Sequence, residues 1–389
     1  NNSGFRKING RIILKTIEQT YGYDDVAIVP GEITINPELV DTKINIDNLE
    51  LDIPVFASAM DSVVNPNFSK EISDLGGVGV INLDGIHVRY ENTEEIYEEI
   101  SKASQKEATE ILQKIYTAPV KENLIGDVIK KIKDSNSRCF ASFVPASTKR
   151  FAPVAVEAGC DSIVIQSTVT TARHNSKSLE GLVLSKIVES IKVPIIVGNT
   201  VTYNVSRELM ETGIHGILVG VGPGSACTSR EVLGVGVPQV SATLECSSAR
   251  DDYFKLTGRY VSIITDGGIR TGGELCKSFV AGADAVMIGS PFSKTFESPA
   301  KGNHWGMATP HESLPRGTRI VNKQEYSIKE LLFGPSSKTD GTRNLIGALR
   351  VCMGMLGAEK VREMHDGTLI YAPTIKTEGK TYQLSGLGS

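Results

Sequence analysis

Short runs of Val, Ile and Ala recur along the chain without polar alternation, as expected of strands buried on both faces of a parallel sheet. They lie at 53–57, 78–82, 140–144, 162–166, 194–199, 216–220, 261–265 and 285–288. Apolar residues at helical spacing fill most intervals and predict helices at 67–75, through 155, and at about 179–191, 205–212 and 240–256. The charged stretch 91–133 carries three such stripes, on Ile96 and Ile100, on Ile111, Leu112 and Ile115, and on Ile125, Val128, Ile129 and Ile132. It reads as a helical insertion after the second strand, because no Gly/Pro linkers bracket it. Eight βα units over roughly 250 residues predict an α/β fold, a (β/α)8 TIM barrel. The reading is one catalytic domain over 1–389. Segment 21–30 is expected as a loop laid against the body, 294–340 as a long active-site flap, and 366–389 as a C-terminal tail.

In such a barrel the chemistry sits at the carboxyl ends of the strands. Ser58, Asn82, Gln166, Asn199, Cys227, Asp266 and Ser290 all fall just past a strand. Ordinary turn residues would be spread over both ends. The sixth strand runs into Val221-Gly222-Pro223-Gly224-Ser225-Ala226-Cys227-Thr228-Ser229-Arg230, whose glycines and proline let the backbone turn sharply and approach a ligand. Cys227 is therefore a candidate nucleophile, its thiolate favoured by nearby positive charge or loop amides. The bland alternative is a small buried thiol in a tight turn. Asp266-Gly267-Gly268 and Gly289-Ser290 follow strands seven and eight, where barrels commonly hold a phosphate on backbone amides.

Composition narrows the classes. A net charge of -4 with interspersed signs gives no basic stripe, which argues against nucleic acid as a partner. No apolar stretch approaches the roughly 18 residues of a membrane span, and no signal peptide is visible in the first fifteen residues. The six cysteines form no C-x-x-C pair, which excludes a recognisable zinc or thioredoxin motif and suits a cytoplasmic setting. His87 and His215 stand alone and read as structural.

With these motifs in hand, the chain resembles the IMP dehydrogenase/GMP reductase family along nearly its whole length. The resemblance rests on the Cys227 loop with Gly234-Val235-Gly236-Val237-Pro238-Gln239, supported by Ser58-Ala59-Met60-Asp61, Gly198-Asn199, Asp266-Gly267-Gly268, Gly289-Ser290 and Gly306-Met307. It implies that Cys227 attacks C2 of a purine mononucleotide and that hydride moves between C2 and a nicotinamide cofactor, NADPH or NAD. It implies that Ser225, Asp266, Gly267, Gly268, Gly289 and Ser290 hold ribose and phosphate. Ser58, Met60, Gly306 and Met307 would then lie near the base, and Gln166, Ser167, Thr168 and Asn199 near the cofactor. The carbonyls of Gly222, Gly224 and Cys227, completed by Glu378, Gly379 and Lys380 of a neighbouring subunit, look like a potassium site in a homotetramer.

The direction of reaction is read from departures. Dehydrogenases of the family activate water with an Arg-Tyr pair on the flap, and 294–340 contains none; the paired regulatory (CBS) insertion is also missing. Both favour a GMP reductase, with Ser229 and Glu297 handling departing ammonia. The alternative is an IMP dehydrogenase with an atypical flap base, for which Arg316, Arg319 and Tyr326 are candidates. A non-catalytic purine nucleotide sensor and a flavin-binding barrel are remoter alternatives. Gln166 replaces the acid usual after strand four, and His304-Trp305 replaces the usual Tyr-Arg before Gly306-Met307. The pattern looks most like the family's IMP dehydrogenase-related third branch.

Overall fold

Eight parallel strands close into a barrel in the computed structural model of this chain. The structure describes residues 4–8, 11–15, 17–174, 183–307 and 318–373. The barrel strands are β1 (Val55–Ala57), β2 (Val78–Asn82), β3 (Phe140–Phe143), β4 (Ser162–Gln166), β5 (Ile195–Thr200), β6 (Gly216–Val219), β7 (Ser262–Asp266) and β8 (Ala285–Ile288). Each pairs with its neighbours in chain order, and β8 closes on β1 with Val286 beside Val55. Nearly every strand residue is buried, which explains the unbroken apolar runs. Phe56 and Phe140 meet edge-on inside, their ring centroids 5.5 Å apart.

The helices begin where side chains satisfy their free amides. Asn65 accepts the Phe68 N–H at 2.8 Å to open α1 (Pro66–Asp74), with Pro66 where its missing donor costs nothing. Thr271 and Glu274 form a reciprocal capping box at α10 (Gly272–Val280). The 91–133 stretch does form three helices, α2 (Thr93–Lys102), α3 (Ala108–Ile115) and α4 (Glu122–Asp134). Their partners differ. Helix α4 buries Ile125, Val128, Ile129 and Ile132 in the main core, whereas α2 and α3 build a satellite cluster around Trp305, which is fully buried. Two helices of the insertion thus shore up the segment that follows β8.

One local expectation is corrected, and two further elements add to the reading. Segment 21–30 is not simply a loop: Val26–Val29 pairs antiparallel with Thr368–Tyr371, binding the start of the predicted tail to the N-terminal segment. A hairpin of Ile44–Ile46 and Leu49–Leu51 precedes the barrel unannounced, its strands too short for an alternation to stand out. Within the predicted flap, Asn303–His304 pairs with Ile320–Val321, and α12 (Ile328–Phe333) follows. Residues 308–317, 179–182 and 374–389 lie outside the described residues.

Candidate active site

A cavity of about 1010 Å³ opens at the carboxyl ends of the strands. It brings together most of the residues singled out in the sequence. Ser58 and Met60 come from the end of β1, and Gln166, Ser167 and Thr168 from the end of β4. Asn199 belongs to β5, and Gly222, Gly224, Ser225, Cys227 and Ser229 follow β6. Asp266, Gly267 and Gly268 follow β7, Gly289 and Ser290 follow β8, and Gly306 and Met307 complete the wall.

The Cys227 loop is shaped by its backbone. Gly222 has a φ of +84°, and a side chain there would strike Arg230, whose aliphatic stem also covers Gly236. Cys227 N–H donates to Gly224 O at 3.1 Å, closing the turn. Its thiol donates to Ser229 Oγ at 3.4 Å, and Ser229 opens the short helix α8 (Ser229–Leu233). Cys227 is half-buried and reaches the cavity, as a nucleophile must. Gly268, at φ +80°, lies against Pro223 and Tyr23, so a side chain there would be strained by the backbone and crowd the packing of the β7 loop on the cysteine loop.

Asp266 sits among amides, with no cation facing it among its hydrogen-bond partners. Its Oδ2 accepts from Asn199 Nδ2 at 2.9 Å and from Gln166 Nε2 at 3.0 Å. Burial pushes its pKa up to about 6, and the two amides only partly offset this. Gln166 also donates to Asn199 Oδ1 at 3.0 Å, so its amide is already committed. The result is a neutral wall at the end of β4.

Other predicted groups fall elsewhere. Glu297 does not line the cavity; its Oε2 accepts the Ile328 N–H at 3.1 Å, at the start of α12. Arg319 is buried, its guanidinium reaching Ile100 O at the end of α2. Tyr326 donates to Pro291 O at 2.9 Å beneath the Arg343 guanidinium, which lies 3.5 Å from its ring centroid. Arg316 and the Glu378-Gly379-Lys380 segment lie outside the described residues. His87 bonds Tyr97 and His215 accepts the Ile195 N–H, both in structural roles.

Among the lining side chains that drew no role from the sequence are Tyr23, Asp84, Tyr116 and His304. Tyr23 is anchored to Ser278 by a 2.7 Å hydrogen bond, and burial pushes its phenol well above the usual range. Burial likewise raises the Asp84 carboxyl, although Val144 N–H and Ser147 Oγ donate to it. His304 bonds Ser62 Oγ at 3.1 Å, and desolvation brings its pKa down to about 4, so the imidazole is neutral near pH 7. Tyr116, just past α3, donates to Asp61 Oδ2 at 2.7 Å and accepts from Trp305 Nε1 at 3.0 Å. A signal for His304 was available in its place beside Gly306-Met307. For Tyr116 there was none, since 189 residues separate it from Trp305.

A parallel eight-stranded barrel with a thiol and two glycine-rich loops at the carboxyl ends of its strands defines the TIM-barrel class of enzyme. Residues 20–310 match the IMP dehydrogenase / GMP reductase domain, and the chain belongs to that family. It is a purine nucleotide oxidoreductase of this family. It is 34% identical over 358 residues to an uncharacterized oxidoreductase of Mycolicibacterium smegmatis, covering 90% of this chain and 96% of the relative. It is 30% identical over 383 residues to the inosine-5'-monophosphate dehydrogenase of Cryptosporidium parvum, covering 90% and 91%. Among solved structures, an IMP dehydrogenase/GMP reductase-like protein from Corynebacterium glutamicum superposes with a TM-score of 0.85 at 31% identity, covering 93% of this chain and 96% of that one. No helix among the described residues is long and apolar enough to cross a membrane.

Proposed function

We propose that the protein is an IMP dehydrogenase that oxidises purine C2 through a covalent adduct on Cys227 and releases XMP. The observation that carries the direction is Glu297. A reductase needs an acid beside departing ammonia, and this carboxylate is instead turned away to the Ile328 amide. The missing regulatory insertion does not weigh against oxidation. The Cryptosporidium parvum dehydrogenase aligns over 91% of its length with a chain that lacks such an insertion.

Cys227 attacks C2 as the thiolate, its proton passing by way of Ser229 Oγ, 3.4 Å away, to solvent. Ribose hydroxyls bond the Asp266 carboxylate, while the amides of Gly268, Gly289 and Ser290 take the phosphate. Ser58, Met60, Gly306 and Met307 hold the base over the thiol. A bound nicotinamide supplies the hydride acceptor. The residues present suit it: beyond the nucleotide subsite the cavity is walled by Gln166, Ser167, Thr168 and Asn199, neutral donors and acceptors that tolerate either NAD or NADPH. The carbonyls of Gly222, Gly224 and Cys227 are neutral oxygens of the kind that replace the hydration shell of K+. Potassium dependence and a homotetramer belong to the same proposal.

Two observations favour a second reading. The Cys227–Ser229 contact places a hydroxyl where a GMP reductase would use one, and 294–340 lacks an Arg-Tyr pair. The two readings separate in a two-cuvette assay with potassium chloride, following reduced nicotinamide by absorbance. A rise with IMP and NAD alone supports the dehydrogenase. A fall with GMP and NADPH alone reverses the direction. Silence in both, with nucleotide still bound, leaves a sensor.

A further inference from the structure

The helical insertion contributes one residue to the cavity wall, Tyr116, whose hydroxyl sits beside the lining residue Met307. It donates to Asp61 Oδ2 at 2.7 Å, accepts from Trp305 Nε1 at 3.0 Å, and lies 3.5 Å from Met307 Sδ. Asp61 is fully buried. Its carboxylate is met by Asn82 Nδ2 at 3.2 Å and Ile86 N–H at 2.8 Å, with no cation bonded to it among the described residues. Tyr97 donates to the Asp61 carbonyl, and His87 and Asp84 are the other titratable groups that face it. Burying a carboxylate without a cation is costly. A strut between the insertion and Trp305 could have been made from apolar contacts of the kind Leu112 and Ile115 supply.

We propose that Tyr116 handles the proton at purine C2, with Asp61 as its proton partner. The proposal rests on the dehydrogenase reading and supplies a base in place of the Arg-Tyr pair that 294–340 does not contain. A water oxygen bonds to C2 of the Cys227 adduct. One water proton ends on N3 of the purine. The other passes to the Tyr116 oxygen while the tyrosine's own proton moves to Asp61 Oδ2. The C2–S bond then breaks, and its electron pair returns to Cys227 Sγ as thiolate. Tyr116 is the catalytic residue of this pair and Asp61 a positioning residue acting through it.

Tyr116→Phe keeps the ring in the satellite cluster and removes only the hydroxyl. With IMP and NAD, the pre-steady-state burst of reduced nicotinamide should keep its amplitude, because the hydride step precedes hydrolysis. Steady-state turnover should fall by about a hundredfold. Asp61→Asn should give the same split of preserved burst and lowered turnover, while IMP affinity stays unchanged in both variants. Turnover within twofold of the native enzyme overturns the proposal. So does joint loss of burst, turnover and IMP affinity, which is the behaviour of a structural strut. If the native enzyme itself fails to oxidise IMP, the dehydrogenase reading has failed and this proposal falls with it. A native enzyme that oxidises IMP beside an unaffected Tyr116→Phe variant fails the proposal alone.

Discussion

At the level of single residues, Asp266 shows how the cavity sets charge. Its pKa of about 6 lies above that of a free carboxyl because burial disfavours the ion and only neutral amides reply. The sign follows. The folded state holds this proton more tightly than the unfolded chain does, so the stability it contributes is complete below the ordinary carboxyl range. It is lost as pH rises through about 6. Nucleotide binding needs the opposite form, the anion that accepts ribose hydroxyls. KM for the nucleotide should therefore rise as pH falls below about 6, and Asp266→Asn should raise KM and flatten that dependence. The same variant should melt higher than the native protein near pH 8 and no differently near pH 4. A native KM that stays level across this window, or an Asp266→Asn variant that melts lower at pH 8, contradicts the assignment.

The elements around the site divide into those legible in the chain and those that were not. All eight barrel strands were visible as apolar runs, since burial on both faces leaves no polar position to confuse the pattern. Cys227, Asp266 and Gly289 were visible because a barrel places the residues after its strands at one mouth. The partnership of Val26–Val29 with Thr368–Tyr371 was hidden by more than 300 residues of intervening chain. Glu297 shows a different limit. Its position in the sequence suited an ammonia acid, yet only folding reveals that Ile328 N–H claims the carboxylate. The part played by α2 and α3 was equally hidden, because their stripes predict helices without saying what the stripes cover. They cover Trp305, whose indole is fully buried and bonded to Tyr116. Trp305→Ala should cost about 3 kcal/mol, at the low end for a buried aromatic because the cluster is a satellite of the main core. It should also lower kcat more than it raises nucleotide KM, which chemical denaturation and steady-state kinetics would measure together. A variant with native stability and turnover would show that α2 and α3 do not support the site.

Across the whole molecule, the barrel separates stability from chemistry. Away from the mouth, before β8, Arg250 and Asp284 form an almost fully buried ion pair at 3.0 Å, with Tyr260 and Arg362 also bonded or paired to Asp284. The mouth carries the thiol, the glycine loops and Asp266 on loops that this framework holds in place. The superposition on the Corynebacterium glutamicum protein extends over 93% of the chain, so the two share the barrel along nearly its whole length. The central claim is that Cys227 bonds covalently to purine C2, and mass spectrometry of acid-quenched enzyme tests it most directly. After mixing with IMP and NAD, the intact protein should gain the mass of one oxidised purine mononucleotide, the added mass should map to the peptide containing Cys227, and Cys227→Ala should show none. Turnover of IMP by the Cys227→Ala variant, or an adduct on another residue, would contradict the account.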